Sequence, residues 1–239
     1  MTKGIRRALW LVAFGATLLV LLAYAAWHVS RARCFVLVGS VTCRVETGKP
    51  LVALSFDDGP TVQGVEATLA ALERDKVQAT FFLIGADAEK RPELVRRLAA
   101  AGQEIGNHSY SHERMVGRSS SFYEEEIART DSVLRKAGAP APMLFRPPYG
   151  KKLFGLARAV QRSGYRMVTW DVEDPPGGGS DPQSYAAQVV AEARPGSIIL
   201  MHPMYEANQR ARDALPLVLA GLKGRGFRIV TVGELMREQ

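Results

Sequence analysis

The sequence predicts an α/β protein: a distorted (β/α) barrel of about seven parallel strands, preceded by an N-terminal transmembrane helix and a short β-hairpin. Three observations carry that reading. From residue 51 onward, short apolar runs alternate with amphipathic stretches and turn signals, the pattern of repeated βα units. The unusual polar residues fall just past the C-terminal ends of the strand candidates, and in a βα barrel those ends share one rim. Ahead of both lies a long stretch without any charge. At 239 residues, with 47% hydrophobic and 23% charged content, the chain can hold one well-filled domain and a short appendage.

That appendage comes first. Residues 8–27 carry no charge, with Lys3, Arg6 and Arg7 before them and Arg31 and Arg33 after, and such a run is long enough to cross a bilayer as a helix. A cleavable signal peptide is the competing reading, with Ala23-Tyr24-Ala25 as its small-x-small site, but the apolar core exceeds the usual length. The cations favour a cytoplasmic N-terminus, so the expected location is the inner membrane, single-pass, with the remainder on the outer or periplasmic side. The net charge of +7 is concentrated here. Beyond residue 33 the chain has 26 basic and 24 acidic residues and no basic stripe interleaved with aromatics, so nucleic acid is excluded as an expected partner.

Residues 34–50 form the next segment. Cys34 and Cys43 flank a β-branched stretch around Gly39-Ser40 that reads as a hairpin, and they either bridge in an oxidising compartment or remain two buried thiols. Neither has a metal-ligand neighbour in sequence. From 51 to 239 the strand candidates are 51–56, 79–84, 104–106, 144–146, 166–170, 197–201 and 228–230. Helix candidates at 64–74, 92–101, 121–137, 154–163, 182–193 and 213–224 lie between them.

The chemistry-bearing residues sit at these strand ends. Asp57-Asp58 places two like charges side by side after a buried strand, which is either a plain turn or a cation site with one carboxylate bound and the other free as a base. His108 and His112 are spaced i, i+4, so one helical turn would aim both imidazoles at one ion. Histidine is scarce, with 4 in the chain, and three of them, the third being His202, follow strand candidates. With one carboxylate, the set becomes two histidines and an aspartate, leaving positions open for water and substrate.

Four motifs, Ser-Phe-Asp-Asp-Gly-Pro at 55–60, His-Ser-Tyr-Ser-His at 108–112, Arg-Pro-Pro-Tyr-Gly at 146–150 and Leu-Met-His at 200–202, occur in an order that resembles the polysaccharide deacetylases. These form carbohydrate esterase family four, with the NodB-homology domain, and the resemblance covers residues 45–236. It implies that Asp58, His108 and His112 hold a divalent metal, zinc first, with cobalt, manganese or nickel as alternatives. It implies that Asp57 is the base, Arg146 the arginine that holds it, and Tyr149 the source of a backbone N–H for the oxyanion. His202 resembles the acid that protonates the departing amine, Leu200 the apolar wall for the acetyl methyl, and Pro148 a further substrate contact.

One motif departs from the family. Its usual Asp-Trp is matched here by Asp174-Pro175, so Asp174 is the expected orienting carboxylate for His202, with Asp171 and Asp181 as competitors. Pro203 likewise stands where Asp is commoner. The implied activity is removal of N-acetyl groups from GlcNAc-type residues of an envelope polysaccharide or oligosaccharide such as peptidoglycan, poly-N-acetylglucosamine or a chitin-like chain. The rivals are O-acetyl ester hydrolysis or other C–N bond hydrolysis on the same fold, and a catalytically silent carbohydrate-binding module. The presence of both Asp57 and His202 speaks against the silent one.

Overall fold

The computed structural model describes residues 3–141 and 143–238. Helix α1 (Lys3–Arg31) contains the uncharged run, and Trp10, Leu11, Phe14 and Leu19 on it stay exposed, with no protein face to cover them. By length and composition it can cross a membrane.

Among the described residues seven strands follow, all parallel: β1 (Leu51–Asp57), β2 (Thr80–Leu83), β3 (Glu104–Asn107), β4 (Leu144–Phe145), β5 (Arg166–Met167), β6 (Ile198–Met201) and β7 (Arg228–Val230). The main order is β5-β4-β3-β2-β1-β6, and β7 pairs with the first half of β1. Around this curled sheet lie α2 (Val62–Asp75), α3 (Gly85–Lys90), α4 (Pro92–Ala100), α5 (Ser120–Lys136), α6 (Leu156–Arg162), α7 (Pro182–Glu192), α8 (Gln209–Gly224) and α9 (Val232–Leu235). Caps follow local chemistry, since Thr61, Ser119, Asp181 and Thr231 each accept a backbone N–H from the first turn of their helices.

Strand side chains alternate, and here the alternation decides function. Val52, Leu54 and Phe56 of β1 point outward into the layer shared with Leu69 of α2 and Val218 of α8. Leu51 and Ala53 face inward with Phe82, Leu144, Trp170, Ile198 and Leu200. By the same period Asp57 belongs to the inner face, as does His202 one step beyond β6. Gly106 on β3 permits the inner packing, because a Cβ there would stand 2.5 Å from the Phe82 ring.

The structure alters the expected elements in three places. No hairpin forms across residues 34–43. Instead Cys34 and Cys43 are disulfide-bonded, and the backbone on either side of Cys43 inserts between β5 and β6: Thr42 bridges Val168 and Arg44 bridges Ser197. Gly196 allows this, since a Cβ would meet the Val45 carbonyl at 1.7 Å. Second, β5 ends at Met167 rather than at residue 170, because Val168 turns to Thr42 and Val172 bridges Ile199 of β6. The half-barrel is thus closed by irregular chain rather than by an eighth strand. Third, α3 and α9 are short helices that the apolar pattern did not mark.

The disulfide closes a small loop, 9 residues apart in sequence, in the segment that completes the barrel wall. Replacing both cysteines by serine is expected to cost about 2–3 kcal/mol, read as a lower thermal midpoint with unchanged far-ultraviolet circular dichroism. An unchanged midpoint would mean that the backbone bridges of residues 42–45 hold this wall without it.

Candidate active site

Asp57 and Asp58 both approach His108 but otherwise meet different partners. Asp57 is buried on the inner face, where its Oδ1 accepts a hydrogen bond from Nη1 of Arg146 at 2.7 Å, and its Oδ2 lies 3.6 Å from Nε2 of His108. Burial pushes the carboxyl pKa up, but the charge of Arg146, with His108 and His202, more than offsets it and holds the group below the ordinary carboxylate value. Asp58 takes a positive φ of 79°, which breaks the strand alternation at the end of β1. Its Oδ1 stands 3.3 Å from Nε2 of His112 and 3.8 Å from Nε2 of His108.

Arg146 is fully buried. Besides Asp57, it donates from Nη2 to the Thr169 carbonyl at 3.1 Å, and its guanidinium lies 4.0 Å over the Phe82 ring and 5.6 Å from that of Trp170. The Arg146 carbonyl also accepts a hydrogen bond from Nδ1 of His108 at 2.8 Å. A carbonyl only accepts, so the proton resides on Nδ1 and the Nε2 lone pair faces Asp58 and His112.

The expected helical turn through His108 and His112 is absent. The segment is an irregular loop in which Ser109 and His112 take positive φ values of 63° and 59°. Buried side chains hold it open. Asn107 accepts from the Ser109 N–H and donates to the Ile127 carbonyl, while Glu126 accepts from the N–H groups of both Tyr110 and Ser111. The two imidazoles still converge, with ring centroids 5.0 Å apart.

These three side chains suit a cation. Their ligand atoms lie within 4.8 Å of one another, and Asp58 Oδ1 is buried without any hydrogen-bond partner. Burial and the neighbouring Asp57 raise the Asp58 pKa, while burial lowers that of both histidines, with His108 adding to the shift at His112. Two neutral imidazoles and an unpaired carboxylate oxygen make a donor set that a divalent ion would satisfy.

The remaining expected residues line the same rim. Tyr149 occupies a single 3-10 turn, Pro148–Gly150, at φ 57°, and its exposed ring packs against that of His112 at 4.8 Å. Pro148 is buried beneath it. Leu200 is fully buried in the inner cluster two residues before His202. Nδ1 of His202 is hydrogen-bonded at 2.6 Å to Oδ2 of Asp174, whose other oxygen accepts from the Tyr185 hydroxyl. Burial disfavours the imidazolium, yet the hydrogen bond and charge of Asp174 prevail and raise the His202 pKa to about 9.

Both competitors for the Asp174 position are engaged elsewhere. Asp171 accepts from the Ser197 hydroxyl and the Ile198 N–H at the start of β6, and Asp181 caps α7. Pro175 joins Gly177, Gly178 and Arg210 around a cavity of about 530 Å³ beside His202. Tyr185, Thr169, Asn107 and Glu126 escaped the sequence reading. Only Asn107, adjacent to the first histidine, offered any signal.

Four of the five non-glycine residues with positive φ among the described residues, Asp58, Ser109, His112 and Tyr149, belong to this one rim. Each such conformation costs of order 1–3 kcal/mol, and such residues gather at functional sites. Fold and site together define a hydrolase of the curled-sheet α/β class.

The chain belongs to the polysaccharide deacetylase family, whose model matches residues 44–168. A peptidoglycan-N-acetylglucosamine deacetylase of Bacillus cereus is 35% identical over 190 residues, which cover 79% of this chain and 69% of that one. Among solved structures, a peptidoglycan N-acetylglucosamine deacetylase in complex with a substituted N-oxidanyl-benzamide superposes with a TM-score of 0.79 at 32% identity, over 83% of this chain and 94% of its own. A pseudoenzyme of the same esterase family from Bacillus anthracis superposes with a TM-score of 0.76 at 26% identity, covering 84% and 70%.

The Asp174 pairing gives a measurable consequence. Because the folded pKa of His202 lies above the unfolded value of about 6.5, the pair stabilises fully below about pH 6.5, and this contribution is lost as pH rises through about 9. In Asp174→Asn, metal-free, the His202 titration followed by nuclear magnetic resonance is expected to fall toward the ordinary histidine value. Retention of a titration near 9 would show that Asp174 does not set it.

Proposed function

We propose that this protein is a membrane-anchored, metal-dependent N-deacetylase that removes acetyl groups from GlcNAc-type residues of a cell-envelope glycan. One observation carries the reading: the adjacent carboxylates have opposite environments. Asp57 is ion-paired to a buried arginine, whereas Asp58 has an oxygen with no partner beside two imidazoles. The donor set of Asp58, His108 and His112 favours zinc, with cobalt, manganese or nickel able to replace it.

When bound, the ion supplies Lewis-acid polarisation of the acetamide carbonyl and acidifies water. The chain's own residues do the rest. Asp57, kept ionised by Arg146, accepts the proton of the attacking water, and Arg146 fixes the carboxylate so that no reorganisation accompanies the transfer. The Tyr149 backbone N–H, carried on a loop stiffened by Pro147 and Pro148, donates to the developing oxyanion. His202, held protonated at neutral pH by Asp174, delivers its proton to the departing amine. Leu200 and Pro148, both buried, back the apolar wall on the acetyl side of the site. Residues 51–239 make up the catalytic domain, and residues 34–50 both link it to the anchor and complete its wall.

A pseudoenzyme shares this fold at comparable quality, so the backbone alone does not argue for turnover. The intact base and acid pairs do.

The purified chain is expected to release acetate from N-acetylglucosamine oligomers, and a chelator to abolish the release. Asp57→Asn should keep the metal, measured by elemental analysis, while kcat falls by about 10²–10⁴. Full activity of that variant would remove Asp57 as the base. His108→Ala should lose both metal and activity, and equal activity with and without added metal would remove the metal site. Anchoring predicts an intact N-terminus in the membrane fraction, and N-terminal sequencing that begins at Ala26 would overturn it.

A further inference from the structure

Just past its apolar run the chain is fastened to the loops of the active site. The Lys152 N–H donates to the Ser30 carbonyl at 3.1 Å, and Nζ of Lys152, buried in the joint, donates to the carbonyl of Ala32. The Thr169 hydroxyl donates to the Arg33 carbonyl at 2.6 Å, and the Arg33 side chain pairs with Glu173. Lys152 closely follows the Tyr149 turn, and Thr169 is the residue whose carbonyl holds Arg146.

Between helix end and active site opens a cavity of about 530 Å³. Trp27, Ser30, Arg31, Arg114, Val116, Tyr149 and Lys151 line it. Three of these are cations and none is acidic. The Arg31 guanidinium lies 4.4 Å from the Trp27 ring, Lys151 Nζ 5.6 Å from the same ring, and Arg114 5.3 Å from that of Tyr149, which abuts His112. Among the described residues none of these three cations makes an ion pair with a carboxylate, and burial and then the charges of Arg31 and Arg114 depress the Lys151 pKa.

Residues 8–27 as a helix span about 30 Å, the thickness of a hydrocarbon core, so Trp27 marks the interface. Crowded guanidinium and ammonium groups with no counter-charge, held at lipid headgroup level, suit phosphate oxygens. A glycan crossing the site on this side would meet the helix end and the bilayer, whereas a sugar attached to a membrane lipid would arrive there.

We propose that this cavity binds the phosphate of a lipid-linked saccharide, making the substrate an N-acetylated sugar joined through phosphate or diphosphate to a membrane lipid. The proposal rests on the deacetylase and anchoring readings above.

The test uses the full-length, zinc-loaded chain in phosphatidylcholine nanodiscs, comparing acetate release from polyprenyl-diphosphate-linked N-acetylglucosamine in the same disc with release from soluble tetra-N-acetylchitotetraose. The lipid-linked sugar is expected to have the higher kcat/KM. Combined Arg31→Gln, Arg114→Gln and Lys151→Gln should lower the ratio of the two kcat/KM values at least about tenfold, through KM for the lipid-linked sugar. An unchanged ratio, or release from the soluble sugar with no preference for the lipid-linked one, overturns this proposal and leaves the deacetylase reading standing. Release from neither overturns both. If phosphatidylglycerol in the disc stimulates release from the soluble sugar to the level of the lipid-linked one, the phosphate bound is a bilayer headgroup and the substrate assignment fails.

Discussion

Arg146 carries its charge in a position without solvent, and the carboxylate of Asp57 makes that burial tolerable. Each partner alone would face a desolvation cost of several kcal/mol, and removing one from such a pair typically destabilises by about 3–5 kcal/mol. The pair also organises its surroundings. Phe82 and Trp170 border the guanidinium, Gly106 leaves room for the Phe82 ring, and the Thr169 carbonyl takes a second donor. Through its own carbonyl, Arg146 fixes the tautomer of His108, so one residue orients both a carboxylate and an imidazole.

The consequence is an asymmetry between neighbours. Strand alternation turns Asp57 inward to meet Arg146, and the left-handed backbone at Asp58 turns the next carboxylate toward the histidines. The two anions stay close enough that Asp57 still raises the Asp58 pKa, yet their partners differ. One is neutralised within the protein by Arg146, while the other keeps a buried oxygen without a hydrogen-bond partner, which suits a cation.

How much of this was legible in the sequence depended on the range of the interactions. The βα alternation reported the strands because burial on both faces leaves continuous apolar runs. Strand β5 was overestimated because Val168, Thr169 and Trp170 are β-branched or aromatic, as strand residues are, but Val168 pairs with Thr42 and Val172 with β6, contacts invisible to a local pattern. The spacing of His108 and His112 suggested a helical turn, yet Asn107 and Glu126 bind the backbone N–H groups and open the segment. Asp171, Asp174 and Asp181 were chemically equivalent on paper. Only the chain path separates them, with one at the base of β6, one facing His202 and one capping a helix. Tyr185, which holds Asp174 from the far side, looked like any buried aromatic.

The joint between anchor and domain follows from the same economy of contacts. Thr169 presents its carbonyl to Arg146 and its hydroxyl to the Arg33 carbonyl, so the residue that holds Arg146 also holds the chain just past α1. Lys152 repeats the arrangement beside the Tyr149 turn, its ammonium satisfied by the Ala32 and Gly150 carbonyls while burial lowers its pKa to about 8. A flexible tether would need neither contact. Because the backbone at residues 30–33 is bound by residues that also shape the rim, the distance from helix end to active site is set by short hydrogen bonds rather than by linker length. Under the anchoring proposed above, the rim that carries Asp57, Asp58 and the histidines would stand at a height set by these contacts, and substrates within that height would be the ones its geometry selects.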